Sequence, residues 1–570
     1  ADTVGTAARN PMSRTASSNV GVDARRVTRR QRIVDAATTQ GFRLPPRRNQ
    51  YEVTSSIPVL ARDGARLLTE HFAPEGRALG TVLMRSPYQR IGVLSQMLAG
   101  LFAPRGYHVV LQSCRGTFGS DGDYIPGVAE IDDGADMLAW LHEQSWYDGR
   151  LALVGGSALS YTMWAMLMEP LEELVAVAAF ASFHDPFAVT HGDGAFTLHN
   201  QYTLASGMAR QQQRARTAVL AEVLRPNRDV AAMSALPVAD AVERFVGPDS
   251  AWYRDTATRD DPADRYWLAQ DATPAVNQLQ APVRLIAGWQ DVFLGQSLDE
   301  YRRLRDRGVS VALTVGPWTH FEMASRGGRR VFSELFDWVD HHASGDLERP
   351  VGDPVAYYVT GGGGWRSAPD WPPQTQEQIL YLAPGGSLRP TAPTATAPPV
   401  VFTYDPHDPT PTVGGRTLSI HAGYQLDSDL ARRPDTVALV TTPLLEPLEM
   451  IGIPEVSLTH RSDNPHFDLW VRISEVRPDG RSRNVTETFR GAPQAGGDGR
   501  IRLAMDPAAH RFSAGSRIGL LIGGGSFPRY ARNLGTPGSR TEGTDLAVSR
   551  HVIALAAGAS TLSLPVRRRL

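Results

Sequence analysis

Through the first two thirds of the chain, apolar side chains gather in short, mostly apolar runs at 82–84, 109–112, 151–154, 175–180, 283–287 and 311–315. Such runs, bounded by turn residues, have the texture of strands covered on both faces, because a strand open to water on one face alternates instead. Between them, 131–144 carries apolar residues at Ile131, Leu138 and Leu141 and reads as a helix, as do 161–167 and 331–339. Strands alternating with helices in this way predict a mostly parallel α/β sheet. From 186 to 277 the strand runs stop and the chain turns polar, with Gln211-Gln212-Gln213 and several arginines, so a helical cap inserted into the sheet is expected there. Past 350 the helical spacing vanishes. A Pro/Thr/Ala-rich linker at 390–399 leads to alternating stretches such as 467–473, followed by the turn Pro478-Asp479-Gly480, the pattern of a β-sandwich of jelly-roll type. The predicted division is an N-terminal arm over 1–50, the α/β core over 51–185 and 278–350, the cap over 186–277 and an all-β jelly-roll domain over 351–570.

Composition narrows the function. A chain of 570 residues exceeds what one hydrophobic core supports. With 42% hydrophobic residues, 21% charged residues and a net charge of -2, it has no electrostatic signature of a nucleic-acid or membrane-surface partner, which points to a small or weakly charged substrate. No apolar run is long enough for a transmembrane helix. All 58 basic residues are arginine. Without lysine there is no Walker A loop, no pyridoxal phosphate Schiff base and no Schiff-base aldolase. The single cysteine, Cys114, excludes an intrachain disulfide and a cysteine zinc site, and its place after a strand-like run suits a packed small side chain. Arginines at 25, 26, 29, 30, 32, 43, 47 and 48 make the arm basic, and it is expected to pack on the body or on a second copy of the chain. The chain begins at Ala1 and shows no signal-peptide core; a cytoplasmic location is expected, with secretion after removal of a leader as the alternative.

Three predicted strands lead into reactive side chains, in the segments Gly155-Gly156-Ser157, Gly288-Trp289-Gln290-Asp291 and Gly316-Pro317-Trp318-Thr319-His320. A serine hydroxyl is a weak nucleophile until an imidazole takes its proton, and the imidazole needs a carboxylate to hold its tautomer. Ser157, His320 and Asp291 supply these groups in the chain order Ser, Asp, His of α/β-hydrolases. Open α/β sheets collect their ligands outside the carboxyl ends of the strands, so one crevice can hold all three. Taken alone, Ser157 fits the cap of the next helix equally well and any single histidine fits a structural role. The coincidence at three strand ends favours the triad. Asp132, Asp133 and Asp136 suit a solvated helix face, and His341 and His342 a solvated or dipole-stabilising place near a helix end.

Further segments carry a resemblance. Arg85-Ser86-Pro87-Tyr88 and Arg115-Gly116-Thr117-Phe118-Gly119-Ser120-Asp121-Gly122, taken with the three segments above, resemble the acyl-esterase family of cocaine esterase, glutaryl acylases, α-amino-acid ester hydrolases and X-Pro dipeptidyl-peptidases. Phe402-Thr403-Tyr404-Asp405-Pro406, Thr412-Val413-Gly414-Gly415, His510-Arg511-Phe512 and Phe527-Pro528-Arg529 are similar to that family's C-terminal sandwich. The resemblance implies an α/β-hydrolase core, a helical cap, a jelly-roll domain and a triad on Ser157, Asp291 and His320. It also implies an oxyanion hole made by the backbone N–H of Ala158 and the hydroxyl of Tyr88. The chain departs from the family pattern at Ala158 and Ser160, where the elbow usually has Tyr and Gly, and at Ser113, where Asp is usual.

The expected activity is hydrolysis of a carboxylic ester or amide through an acyl-enzyme, with no cofactor and no metal. Val292, Phe293 and Leu294 follow Asp291 without the acidic residues that the resemblance to α-amino-acid ester hydrolases would imply nearby, which favours an apolar or aromatic acyl group over an amine-bearing one. Trp289 and Phe293 are the expected pocket residues. An X-Pro dipeptidyl-peptidase or amide acylase is the alternative within the family. A catalytically silent member that binds ligands is the alternative from another class, consistent with Ala158 and Ser160.

Overall fold

The computed structural model describes residues 24–90, 92–213, 226–247, 250–345 and 352–567. Its first half is an α/β unit in chain order β1 (Ala24–Arg26), α1 (Arg29–Gly41), β2 (Tyr51–Leu60), β3 (Arg66–Pro74), β4 (Thr81–Ser86), α2 (Val93–Phe102), β5 (His108–Ser113), α3 (Glu130–His142), β6 (Leu151–Gly156), α4 (Ala158–Met166) and β7 (Leu174–Phe180). The cap follows, with α5 (Pro186–His191), α6 (Leu198–Gln213), α7 (Pro226–Ser234) and α8 (Trp252–Thr258) among its helices. The chain then returns to the sheet through β8 (Val283–Gln290), α9 (Leu294–Asp306), β9 (Val311–Thr319), α10 (His320–Ala324), α11 (Gly328–Ser344), β10 (Val355–Val359) and β11 (Gly364–Ala368).

The strands form one sheet in the order β1-β2-β3-β5-β4-β6-β7-β8-β9-β10-β11, parallel from β5 to β10 and antiparallel at both edges. Its strands are apolar on both faces because helices cover both. In β6, Leu151 and Leu153 join one hydrophobic cluster while Ala152 and Val154 join the other. The order also creates a switch point. From β4 the chain leads to β5 on one side, and from β6 to β7 on the other, which opens a crevice at the carboxyl ends of this adjacent pair.

Several expectations change. The described part of the predicted arm is built into the body: β1 adds to the sheet edge beside β2, and α1 packs on α2, so its arginines decorate a structured edge. Residues 1–23 of that arm lie outside the described residues. β10 pairs in parallel with β9 and carries the first sheet past the boundary expected at 351. The stretch 390–399 lies inside the all-β region, since Gln376–Ala383 and Ser387–Arg389 are already strands before it. Asp133 is fully buried and not solvated, because Arg115 reaches it at 2.6 Å. His342 is half-buried, and burial pushes its imidazole down to about 4, so it carries no charge toward the helix dipole near neutral pH.

The C-terminal unit is all-β, with an eleven-stranded and a three-stranded sheet around a core that includes Leu458, Val471, Ile473 and Leu520. It is pinned to the rest of the molecule at named points. Tyr530 donates to Asp193 at 2.5 Å, the Leu418 N–H donates to Asn200 Oδ1 at 2.9 Å, and Thr360 Oγ1 meets His510 Nδ1 at 2.7 Å. Among the described residues no helix is long and apolar enough to cross a membrane.

Candidate active site

Ser157 sits alone between β6 and α4 with φ 57° and ψ -130°, a conformation that non-glycine residues rarely adopt. The turn closes so tightly that its glycines have no room for a side chain. A Cβ on Gly155 would lie 2.4 Å from the Leu159 carbonyl oxygen, and one on Gly156 would lie 2.1 Å from the Phe180 ring. The strained turn lifts the Ser157 hydroxyl out of the helix register and toward the crevice.

Asp291 follows β8, and His320 follows β9 as the first residue of α10, where Thr319 caps the helix in a capping box with Glu322. The tertiary fold brings the three side chains into a chain of contacts. His320 Nδ1 is 2.7 Å from Asp291 Oδ1, and His320 Nε2 is 3.0 Å from Ser157 Oγ. Asp291 is completely buried, and its Oδ2 has no hydrogen-bond partner among the described residues. A proton can pass from the serine to the imidazole while the buried carboxylate compensates the cation that forms.

Ala158 is the first residue of α4, so its N–H has no acceptor within the helix and faces the same crevice as Ser157. Tyr88, from the turn after β4, approaches from the other side of the switch point. Burial raises its hydroxyl above the ordinary phenol value, and the hydroxyl interacts with the Ser157 side chain. It therefore remains a proton donor at neutral pH. Ala158 and Tyr88 together offer two donors to an oxygen held above Ser157.

These groups open onto a cavity of about 710 Å³ walled by core, cap and sandwich. Phe293 belongs to that wall, as the sequence suggests: its ring stacks on Phe183 at 4.4 Å and meets His320 edge-on at 5.4 Å. Tyr161 continues the stack on Phe183 at 5.4 Å. Trp289 does not belong to it. Side chains on β8 alternate, and Trp289 shares the face of Val283, Leu285 and Ala287, where it packs on Trp371 and donates its indole N–H to the Tyr358 carbonyl at 2.7 Å. Phe183, Tyr124, Trp252, Trp267 and the sandwich loop around Leu418 were not anticipated, since nothing near them in sequence marks them as pocket residues. Glu130 also lines the cavity, with Arg85 at 2.8 Å.

Comparison with known proteins places these features in context. The family model for X-Pro dipeptidyl-peptidase (S15 family) matches residues 63–322, and that for the X-Pro dipeptidyl-peptidase C-terminal non-catalytic domain matches 352–562. Cocaine esterase from Rhodococcus sp. (strain MB1 Bresler) is 28% identical over 542 residues, spanning 86% of this chain and 93% of that protein. A putative serine esterase of Mycobacterium bovis is 24% identical over 583 residues, spanning 84% of this chain and 91% of that protein. An α-amino acid ester hydrolase structure superposes with a TM-score of 0.77 at 20% identity, covering 91% of this chain and 97% of that one. An aminopeptidase structure from a marine sediment Thaumarchaeota archaeon gives 0.75 at 22% identity, covering 91% and 96%.

Proposed function

The chain belongs to the acyl-esterase family of S15-type α/β-hydrolases, and from that premise we propose that Ser157 cleaves a carboxylic ester through an acyl-enzyme whose acyl group is apolar or aromatic. The protein is an ester-acting serine hydrolase. The observation that carries the residue assignment is the run of contacts from Asp291 through His320 to Ser157, at 2.7 and 3.0 Å on the wall of an aromatic cavity.

In this reading His320 Nε2 takes the Ser157 proton as Oγ bonds to the ester carbonyl carbon. The carbonyl oxygen gains charge and is met by the Ala158 N–H and the Tyr88 hydroxyl. His320 then gives its proton to the leaving oxygen, the alcohol departs, and an acyl-Ser157 ester remains. Water repeats the sequence with His320 again as base and releases the acid. The Tyr161, Phe183 and Phe293 stack supplies flat apolar surface for the acyl group. Of the two carboxylates that line the cavity among the described residues, Glu130 and Asp229, Glu130 already faces Arg85 and is taken from an amine-bearing acyl group.

The test is labelling with a fluorophosphonate followed by peptide mapping. Modification of Ser157, with loss of both labelling and ester turnover in a folded Ser157→Ala protein, is the expected result. Modification at Ser160 in its place would reject the assignment, and anilide turnover exceeding ester turnover would favour the peptidase alternative.

A further inference from the structure

A second cavity of about 560 Å³ lies against the first. Phe321, Ser419, Ile420 and Gln425 line both, so the two are separated by a single layer of side chains. Their chemistry differs. The first is largely aromatic where it meets Ser157, whereas the second is bordered by Glu322, Arg326, Glu475, Arg477, Arg483 and His510.

The charges there do not cancel. Arg326 engages Glu322 at 2.7 Å. Glu475 accepts the Ser513 N–H at 2.8 Å and faces His510 at 3.4 Å, and it stands opposite Arg483 on the paired strand. Arg477 and Arg483 are exposed and make no direct salt bridge among the described residues, although Arg477 also acts electrostatically on Asp479. Arg483 is nevertheless held: it donates to the Tyr424 carbonyl at 3.2 Å and lies over the Tyr424 ring at 5.4 Å. His510 is nine-tenths buried, fixed through Nδ1 by Thr360 at 2.7 Å, and its Nε2 faces Glu475 at 3.4 Å. The cavity thus presents Arg477 and Arg483, neither in a direct salt bridge among the described residues, together with the carboxylates of Glu322 and Glu475, which Arg326 and His510 already engage. Arginine in that state favours an incoming carboxylate.

Position decides which part of a substrate arrives there. Thr319 and Phe321, the neighbours of His320 in sequence, line the second cavity. His320 must deliver a proton to the leaving oxygen, so the leaving group lies on the His320 side of Ser157. We propose that the second cavity is a subsite for an anionic group, a carboxylate above all, carried at the far end of the leaving alcohol. The preferred substrate is then an ester of two characters, with an apolar acyl part against the Phe183 and Phe293 rings and an acidic tail reaching past Phe321 to Arg477 and Arg483. This inference rests on the ester hydrolase reading given above.

The experiment compares kcat/KM for benzoate esters of ω-hydroxyalkanoic acids with kcat/KM for benzoates of 1-alkanols of matching length, over a graded series of spacers. The ratio of anionic to neutral ester is measured within each protein, so loss of active enzyme in a variant cancels. The wild-type ratio is expected to peak at one spacer length, and to fall about tenfold in the Arg477→Gln, Arg483→Gln double variant. The control is Arg550→Gln, an exposed arginine that lines neither cavity. A ratio with no maximum along the series would overturn the subsite. So would a double-variant ratio within about twofold of wild type, or an equal fall in the control, which would mark a general field effect. Failure of the neutral benzoates to turn over while Ser157 still labels with a fluorophosphonate would reject the aromatic acyl pocket and the subsite with it, and failure to label as well would reject the hydrolase reading itself.

Discussion

The Ser160 hydroxyl donates to the carbonyl oxygen of Ser157 at 2.6 Å, and the Ser160 N–H reaches the same oxygen at 2.8 Å. Ser160 Oγ also accepts the Phe183 N–H at 3.3 Å. One fully buried hydroxyl therefore ties the strained turn at Ser157 to the segment that carries Phe183 of the cavity wall. Ser160 stands where the family resemblance leads one to expect a glycine, and it adds this clamp while the contacts of Ser157, His320 and Asp291 stay in place. Removing the hydroxyl should loosen the turn while leaving the reacting side chains in place. Ser160→Ala is expected to slow acylation of Ser157 about tenfold, with little change in KM and with full final labelling by a fluorophosphonate. A rate within twofold of wild type, measured per labelled site, would reduce Ser160 to a packing residue.

Tyr88 stands across the switch point from Ala158. If its hydroxyl meets the oxyanion, Tyr88→Phe removes a donor that acts only once charge has developed, and kcat should fall roughly 100- to 1,000-fold with a much smaller change in KM. Steady-state kinetics on an activated benzoate ester, with the burst amplitude measured to show that acylation or deacylation limits the rate, checks this. An unchanged kcat would leave Tyr88 as a wall of the cavity.

Asp291 is buried with one oxygen on His320 Nδ1 and the other without a hydrogen-bond partner among the described residues. Asp291→Asn keeps the volume but presents an amide that can turn its N–H₂ toward the ring and stabilise the wrong tautomer. Turnover should drop by up to about 10⁴-fold while circular dichroism and melting behaviour stay close to wild type. Near-normal activity would mean that another acid serves His320.

Phe293 stacks on Phe183 in the cavity wall and meets His320 edge-on. Phe293→Ala should shorten the stack on Phe183 and cost benzoate esters more than acetate esters, by about tenfold in the ratio of their kcat/KM values. Equal losses on both esters would show that Phe293 serves only to hold the histidine.

Two imidazole pairs make the fold sensitive to acid. His71 and His108 meet at 3.0 Å beside Trp146, and His460 and His551 meet at 3.0 Å in the sandwich. Burial, and for His71 and His551 the neighbouring imidazole as well, pushes His71 and His551 down to about 3 and His460 to about 4; burial also lowers His108. In the unfolded chain the same rings protonate near 6.5. Below that value the unfolded state binds more protons than the folded one, so stability falls as pH drops from about 6.5 toward 4. Melting temperature measured between pH 7 and pH 5, above the carboxylate range, should decline. The decline should be shallower in His71→Phe, and an unchanged slope would remove this pair from the account.

The local chemistry of the chain determined a great deal on its own. Largely apolar runs leading into Ser157, Asp291 and His320 are legible because parallel strands are buried on both faces and because reactive groups collect at their carboxyl ends, both short-range consequences of backbone geometry. The absence of lysine bounds the chemistry without any coordinates. The helical cap and the all-β C-terminal unit were legible for the same reason, as a change in spacing along the chain. What the tertiary structure alone decided depends on direction and distance. Trp289 and Phe293 are near neighbours in sequence with equal claim to the pocket, yet strand alternation sends one into the core while the turn after Asp291 sends the other to the cavity. Asp133 looks solvated on a helix until Arg85 and Arg115, from separate segments, close over it. The second cavity draws its walls from segments more than a hundred residues apart, which no periodicity links. Packing of distant segments is set by the sum of many small contacts over the whole molecule, and that sum leaves no trace in any local window of sequence.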